Sequence, residues 1–303
     1  MYWSDRRLDY KKLIPNRSLR LKILELTSFI PDKTMIELQY WIKTGRKLNL
    51  KEPKRFTEKL QWYKLYYRNP IMVQCSDKYM VREYVKKKGL ENILNEMYGV
   101  YDRVEDINFD KLPNKFVLKK TNGGGGNDII ICKDKSKFNV DIAIKKMKKW
   151  TKIKKGGGRE WVYYEAKPRI IVEKFLESEN DDLIDYKFFC FYGTPSFLYV
   201  INGRKLGDKA NFGIFDLEYN QLPYFRCDEN KMLNKPPKPI NFEQMKEVAR
   251  ILSEDFPHVR VDLYNVEGKI IFGELTFFDG SGYQIYEPDE FDFILGEKFK
   301  LPK

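Results

Sequence analysis

The chain of 303 residues and 36.3 kDa has room for one large domain or two to three lobes around a real core. Hydrophobic residues at 42% and aromatics at 15% exclude a disordered chain despite 33% charged residues, and no apolar run reaches the ~18 residues of a membrane span. The net charge of +12 admits a polyanionic ligand, but opposite charges are interspersed and only four alanines stand beside abundant Lys, Asn, Ile, Tyr and Phe. That is the bias of an AT-rich genome, and nucleic-acid binding is not expected as the main function.

The first 70 residues read as helices. Leu19, Ile23 and Leu26, then Met35, Leu38 and Ile42, recur at helical spacing, with Pro31 as a break and Asp32 as an N-cap. A further amphipathic helix opens at Thr57-Glu58, carries Leu60, Trp62, Tyr63 and Tyr66, and stops at Asn69-Pro70. Ser76-Asp77-Lys78 starts the next helix, which closes near Gly89.

Strands begin near residue 114. Phe116–Lys119 and Ile129–Cys132 flank Thr121–Asn127 as a hairpin with a glycine tip. A lysine-rich helix spans Val140 to Trp150, and Lys152 to Gly158 reads as a disordered surface loop. Strands follow at Arg169–Glu173, Tyr186–Tyr192, Ser196–Ile201, Val259–Tyr264 and Ile270–Thr276, with a helix at Glu243–Ser253. Without regular βα alternation, the fold class is α+β.

Three features carry chemistry. Gly123, Gly124, Gly125 and Gly126 lie between two apolar strands, where backbone N–H groups can approach an anion with no Cβ in the way. Lys119 or Lys120 adds a charge there, and strand alternation lets only one of them face the cleft. No Gly-Lys-Ser/Thr opens a helix and no helix follows, so neither a P-loop nor a dinucleotide fingerprint is present, and a plain flexible turn is the competing reading. Next, Ile170–Leu176 is an apolar strand ending in Glu173-Lys174-Phe175-Leu176, which suits a hinge edge against a flat heterocycle or a buried strand leaving the core.

Finally, Val259–Tyr264 and Ile270–Thr276 flank Asn265–Lys269 as a hairpin. A register with Arg260 opposite Glu274 and Leu263 opposite Ile271 gives one apolar face of Val261, Leu263, Ile271 and Leu275. Arg260, Asp262, Glu274 and Thr276 then share the other face. Two carboxylates and an arginine there suit Mg²⁺ with a phosphate, or else a cross-strand Arg260–Glu274 ion pair. His258, the only histidine, has no partner at telling spacing and reads as structural. Four widely spaced cysteines speak against zinc or a disulfide framework, and the N-terminus lacks a secretory signal, so a cytoplasmic protein is expected.

In this order, these features resemble the ATP-grasp superfamily, in its TupA-like branch, named for teichuronopeptide biosynthesis. The resemblance runs from Pro53 to Glu297 and rests on Pro53–Lys59, Ser76–Arg82, Leu112–Lys119, Asp185–Phe191 and His258–Tyr264. It implies two α+β lobes enclosing ATP: an N-terminal mainly helical region on the acceptor side at 1–75, a small lobe with the glycine loop at 76–172, and a C-terminal lobe with the Mg²⁺ strands at 173–303.

By the same resemblance, Lys78 and Lys119 hold ATP phosphates and Gly123 to Gly126 close over them. Glu173, Lys174, Phe175 and Leu176 line adenine, with backbone groups from Lys174 and Leu176. Asp185 binds ribose, with Glu177 and Glu179 as competitors. Arg260 lies over the transferring phosphate, and Asp262 and Glu274 are Mg²⁺ ligands. Many family members carry Asn where this chain has Thr276, which leaves the number of metal ions open. Ser281 and Gly282 are placed at a substrate carboxylate, and Arg204 at the γ-phosphate or the acceptor.

The implied activity is carboxylate–amine ligation through an acyl phosphate, joining an amino acid to a uronic-acid-containing surface polysaccharide or cell-wall polymer. The acceptor is an acidic glycan or a lipid-linked sugar, and association with the inner membrane face is compatible with the acid-free basic stretch from Lys145 to Arg159, which a solvated lysine face explains equally well. The alternatives are an ATP-grasp kinase acting on a sugar and a non-catalytic polyanion-binding protein.

Overall fold

The computed structural model describes residues 10–124, 128–150, 157–178, 182–203 and 210–302. In chain order the helices are α1 (Tyr10–Leu13), α2 (Arg17–Leu26), α3 (Asp32–Thr44), α4 (Phe56–Tyr66), α5 (Pro70–Ser76), α6 (Val81–Lys87), α7 (Val140–Met147), α8 (Val162–Glu165), α9 (Phe242–Ser253) and α10 (Glu290–Lys298). The strands are β1 (Met97–Tyr101), β2 (Phe116–Lys120), β3 (Ile129–Cys132), β4 (Ile170–Lys174), β5 (Asp185–Phe191), β6 (Thr194–Asn202), β7 (Asn211–Phe215), β8 (Phe225–Arg226), β9 (Asn230–Lys231), β10 (His258–Val266), β11 (Lys269–Thr276) and β12 (Tyr286–Glu287).

They form a four-stranded sheet in the order β1-β4-β2-β3 and a six-stranded sheet in the order β11-β10-β5-β6-β7-β9, with β12 and β8 as a separate pair. Pairing is antiparallel except for β7 with β9. This is the expected α+β class. Each larger sheet turns one face to a helix: Phe116, Leu118, Ile170 and Val172 pack with Ala143 and Met147 of α7. On the larger sheet, Met245, Val248, Ala249 and Leu252 of α9 recur at i, i+3, i+4 and i+7 and join the main core with Val261, Leu263 and Phe188.

Several local readings need correction. Asp32 is the first residue of α3 and Pro31 its cap, because the Asp32 carboxylate is taken by Arg159 at 2.9 Å. Asn69-Pro70 ends one helix and also starts α5, since the Asn69 side chain accepts from Ile71 N–H and Pro70 needs no donor partner at N1. α4 buries Phe56, Leu60 and Tyr63, whereas Tyr66 is exposed. Strands β1, β7, β8, β9 and β12, and helices α8 and α10, have no counterpart in the sequence reading; most are short, and all are stabilised by partners distant in sequence.

The expected β10–β11 register is two residues off at its open end. Asp262 faces Glu274 and Arg260 faces Thr276; past a bulge, Leu263 faces Phe272 and Tyr264 faces Ile271. An even offset leaves the four polar residues on one face. The bulge flips the remainder, so Ile271 shares the side of Tyr264 while Ile270 and Phe272 join the core. Gly273 is the inserted residue, and a Cβ there would lie 2.9 Å from the Asp262 carbonyl oxygen. Gly273→Ala is expected to cost about 1–3 kcal/mol by thermal unfolding as the bulge shifts.

His258 is fully buried with its ring among those of Phe56, Phe191 and Phe299 at 5.1, 5.0 and 5.2 Å. Its Nδ1 lies 3.0 Å from the Cys190 carbonyl, which fits the tautomer with Nδ1–H donating. Burial brings its pKa from 6.5 down to about 3. A depressed histidine stabilises the fold above its ordinary pKa, and that stability is lost as pH falls through the folded value. Melting curves should show this loss from about pH 6.5 toward pH 3, reaching about 4 kcal/mol, and His258→Phe should flatten that limb.

Candidate active site between the two sheets

A cleft lies between the sheets, lined by Lys78, Arg82, Leu94, Asn95, Lys119, Glu173, Leu176, Tyr264, Phe272 and Gly273, while α4 covers part of the same face of the larger sheet, with Phe56 6.0 Å from Phe189. Strand alternation places its polar groups. On β2 and β4, Phe116, Leu118, Ile170 and Val172 face the core, so Lys119 and Glu173 face the cleft and form an ion pair at 2.8 Å. That settles the choice between Lys119 and Lys120. Arg82 approaches Glu173 at 3.8 Å and donates to the Asn95 carbonyl at 3.0 Å.

Lys78 connects the two sheets. Its N–H donates to Thr121 O, and its Nζ donates to Gly123 O at 2.5 Å and lies 3.7 Å from Glu274. Gly124 is exposed beside Tyr163, while Gly125 and Gly126 lie outside the described residues. Asn122 pins the start of this turn by donating to the carbonyls of Tyr163 and Ala166, both at 2.9 Å. At the hinge, Lys174 N–H is committed to Glu96 O and Lys174 O accepts from Asn95, each at 2.9 Å. Leu176 lines the cleft, and Phe175 stacks under Lys133 with the ammonium 5.6 Å from its centroid.

On the larger sheet, Arg260 donates twice to Asp262 at 2.7 Å and once to Thr276 Oγ1 at 3.1 Å. It also pairs with Asp279 and lies 3.6 Å from Glu274. The cross-strand pair with Glu274 therefore exists but is the weakest of these contacts. Asp262 also pairs with Lys187, which stands opposite it on β5 and lies 3.7 Å from Asp185. Burial alone would raise the Asp262 carboxyl, but Arg260 and Lys187 outweigh it and hold the group low. Burial opposes the Arg260 charge too, and Asp262 and Asp279 overcome it.

Among the described residues no three His, Cys, Asp or Glu side chains converge as a metal cage. The donors still fit Mg²⁺, which is typically held by one or two carboxylates together with nucleotide phosphates and water. Glu274 is the open donor: its side chain is 38% exposed, Lys78 stays at 3.7 Å and Thr276 Oγ1 at 3.4 Å.

Beyond β11, Asp279–Gly282 forms a tight turn in which Gly280, Ser281 and Gly282 have φ of 49°, 55° and 69°. A serine held there is strained, and both ends of the turn are clamped. Arg260 and Gln284 hold Asp279, while Gln61 and Lys64 of α4 donate to Ser281 O at 3.0 and 2.8 Å. Ser281 Oγ pairs with Glu160. Arg204 and Glu179 lie outside the described residues, as do residues 152–156 of the Lys152–Gly158 segment; Gly158 packs beside Ser281.

Sequence reasoning missed Lys187, Asp279, Tyr163, Lys64 and Glu160. Alternation from Asp185 already pointed to Lys187, and Asp279 opens the motif that contains Ser281. Nothing local marks Lys64 or Glu160, which meet at Ser281 from segments far apart in the chain.

Residues 58–300 match the family described as TupA-like ATPgrasp. No curated protein matches the chain. Among solved structures it is similar to an L-amino acid ligase from Bacillus licheniformis at 15% identity and TM-score 0.48, covering 82% of this chain and 56% of that one. D-alanine–D-alanine ligase from Helicobacter pylori shares 16% identity at TM-score 0.45, with 82% and 70% covered. The Bacillus anthracis enzyme of that name shares 16% at TM-score 0.41, with 67% and 57% covered. The chain thus spans little more than half the length of the Bacillus ligases. The family match takes in every strand of both sheets and the cleft between them: the chain belongs to the TupA-like ATP-grasp family.

Proposed function

We propose that the chain is an ATP-dependent carboxylate–amine ligase that joins an amino acid to a uronic-acid-containing surface polysaccharide or cell-wall polymer. The observation that carries this reading is the convergence, across one cleft, of Lys119 and Glu173 with Lys78, Arg260, Asp262 and Glu274. In it, adenine lies against Glu173 to Leu176, ribose at Asp185, and the phosphates between Lys78, Lys119 and Gly123–Gly126. Lys119 exchanges its Glu173 partner for phosphate oxygen. Asp262 and Glu274, with Thr276 beside them, would hold Mg²⁺, which would supply charge neutralisation on the phosphates.

A substrate carboxylate oxygen attacks the γ-phosphorus, the bond to the β–γ bridging oxygen breaks, and ADP leaves. Arg260 stabilises the charge on the transferred group, largely by preorganised electrostatics. The amine then attacks the acyl carbon, loses a proton and expels phosphate. Ser281 and Gly282 position the acid, and closure of the glycine loop keeps water from the acyl phosphate. Residues 1–75 supply the acceptor side, a reading supported by Gln61 and Lys64 reaching Ser281. The protein works in the cytoplasm at the inner membrane face.

ATP with Mg²⁺ should raise the melting temperature by a few degrees near saturation. Phosphate release should then require both a uronic-acid acceptor and an amino acid, and the product should contain an amide. A stable phosphate ester without phosphate release would instead assign a kinase. No thermal shift from a folded protein would favour a polyanion-binding role.

A further inference from the structure

The apolar stripe of α2 is turned the wrong way for a soluble helix. Leu19, Ile23 and Leu26 recur at i, i+4 and i+7, a spacing that normally faces a core, yet Leu26 is 76% exposed and Leu19 49%. Phe29, on the turn after the helix, is 83% exposed, and Leu13 before it 67%. The half-buried side of α2 is the one that carries Leu24. Scattered exposed leucines need no explanation, but several large ones on one short helix and its flanking turns do.

Charge tells what covers this patch. Between residues 10 and 30 the chain carries Lys11, Lys12, Arg17, Arg20 and Lys22 against a single acid, Glu25. An apolar stripe flanked by cations on a surface helix complements an anionic bilayer, where leucine and phenylalanine enter the acyl boundary and lysine meets the headgroups. Among the described residues no helix is long and apolar enough to cross a membrane, so the attachment would be peripheral.

The patch is also coupled to the candidate site. Arg159, almost fully buried, donates to the carbonyls of Thr27, Ser28 and Ile30 at 2.9, 3.3 and 3.2 Å and pairs with Asp32 at 2.9 Å. It thereby holds the turn that carries Phe29. The next residue, Glu160, pairs with Ser281 on the substrate turn. Adjacent residues of one segment therefore hold the turn after α2 and the Ser281 turn.

We infer that α2 and the turn at Ser28–Pro31 dock the protein on an anionic lipid bilayer, presenting the Ser281 end of the cleft to a lipid-linked acceptor. The lipid link of that acceptor rests on the function proposed above; the docking itself does not. The test is co-sedimentation of the full chain with phosphatidylcholine vesicles, with and without one-third phosphatidylglycerol, at about 0.15 M salt. Wild type should bind the anionic vesicles at least about tenfold more tightly than the neutral ones, and Leu19→Glu/Leu26→Glu should lose about tenfold or more of that affinity.

Absence of binding to anionic vesicles would overturn the inference. So would equal binding by the double variant, which would trace adhesion to the general positive surface. Concentration-dependent self-association lost in the same variant, without vesicle binding, would assign the patch to a second copy and also overturn it. Thermal shift with ATP and Mg²⁺, measured on both proteins, keeps the two failures apart: vesicle binding can fail with nucleotide binding intact, and the reverse.

Discussion

Arg260→Ala should lower turnover by roughly 10³, the scale at which a single cation on a transferring phosphoryl group acts. The same change should cost about 3–5 kcal/mol of stability, because it leaves Asp262 and Asp279 buried beside each other with fewer cations. Arg260→Lys separates the two effects. A lysine keeps the charge but not the paired 2.7 Å contacts to Asp262, so most of the stability should return while turnover remains at least about tenfold down. Single-turnover phosphate release and thermal unfolding of both variants decide it. If turnover follows stability through the series, Arg260 is only structural.

The second large effect lies at Lys64, buried on α4 with its ammonium donating to Gln61 Oε1 at 2.9 Å and Ser281 O at 2.8 Å. Burial brings its pKa from 10.5 down to about 7, against the opposing pull of the nearby Glu160 carboxylate. The unfolded chain therefore holds a proton that the fold sheds between those values, and stability rises with pH from about 7 toward 10.5. Below pH 7 the fold carries the ammonium at full desolvation cost.

Lys64→Met is expected to remove that rise. Relative to wild type, the variant should therefore lose a few kcal/mol of stability between about pH 7 and pH 10. Glu160 contributes with the opposite sign: burial raises its carboxyl above 4.5, so its contribution is lost as pH climbs through the raised value. Melting temperatures of wild type and Lys64→Met across pH 6 to about 10 isolate the lysine limb. Parallel curves would show that Lys64 does not titrate in this range.

The fold and the candidate site are legible in the amino-acid sequence to different degrees. Where the parity of strand positions alone decides, the amino-acid sequence was sufficient. Arg260, Asp262, Glu274 and Thr276 share a face because their alternation survives any even shift in register. Lys119 faces the cleft because Phe116 and Leu118 must face the core. The β10–β11 turn was legible as well, since Glu267 and Gly268, at φ 50° and 79°, take the left-handed pair that a two-residue hairpin requires.

Where the answer depends on which distant segments meet, only the tertiary structure decided it. The bulge at Gly273 offset the register, because its stability comes from cross-strand pairing and not from the local run of residues. Lys64, Glu160 and Ser281 come from three segments with no shared pattern, and their chemistry arises from mutual burial. The periodicity of α2 specified a helix with an apolar stripe. That the stripe faces solvent follows from docking the side that carries Leu24, since periodicity defines a face and only packing says what lies against it.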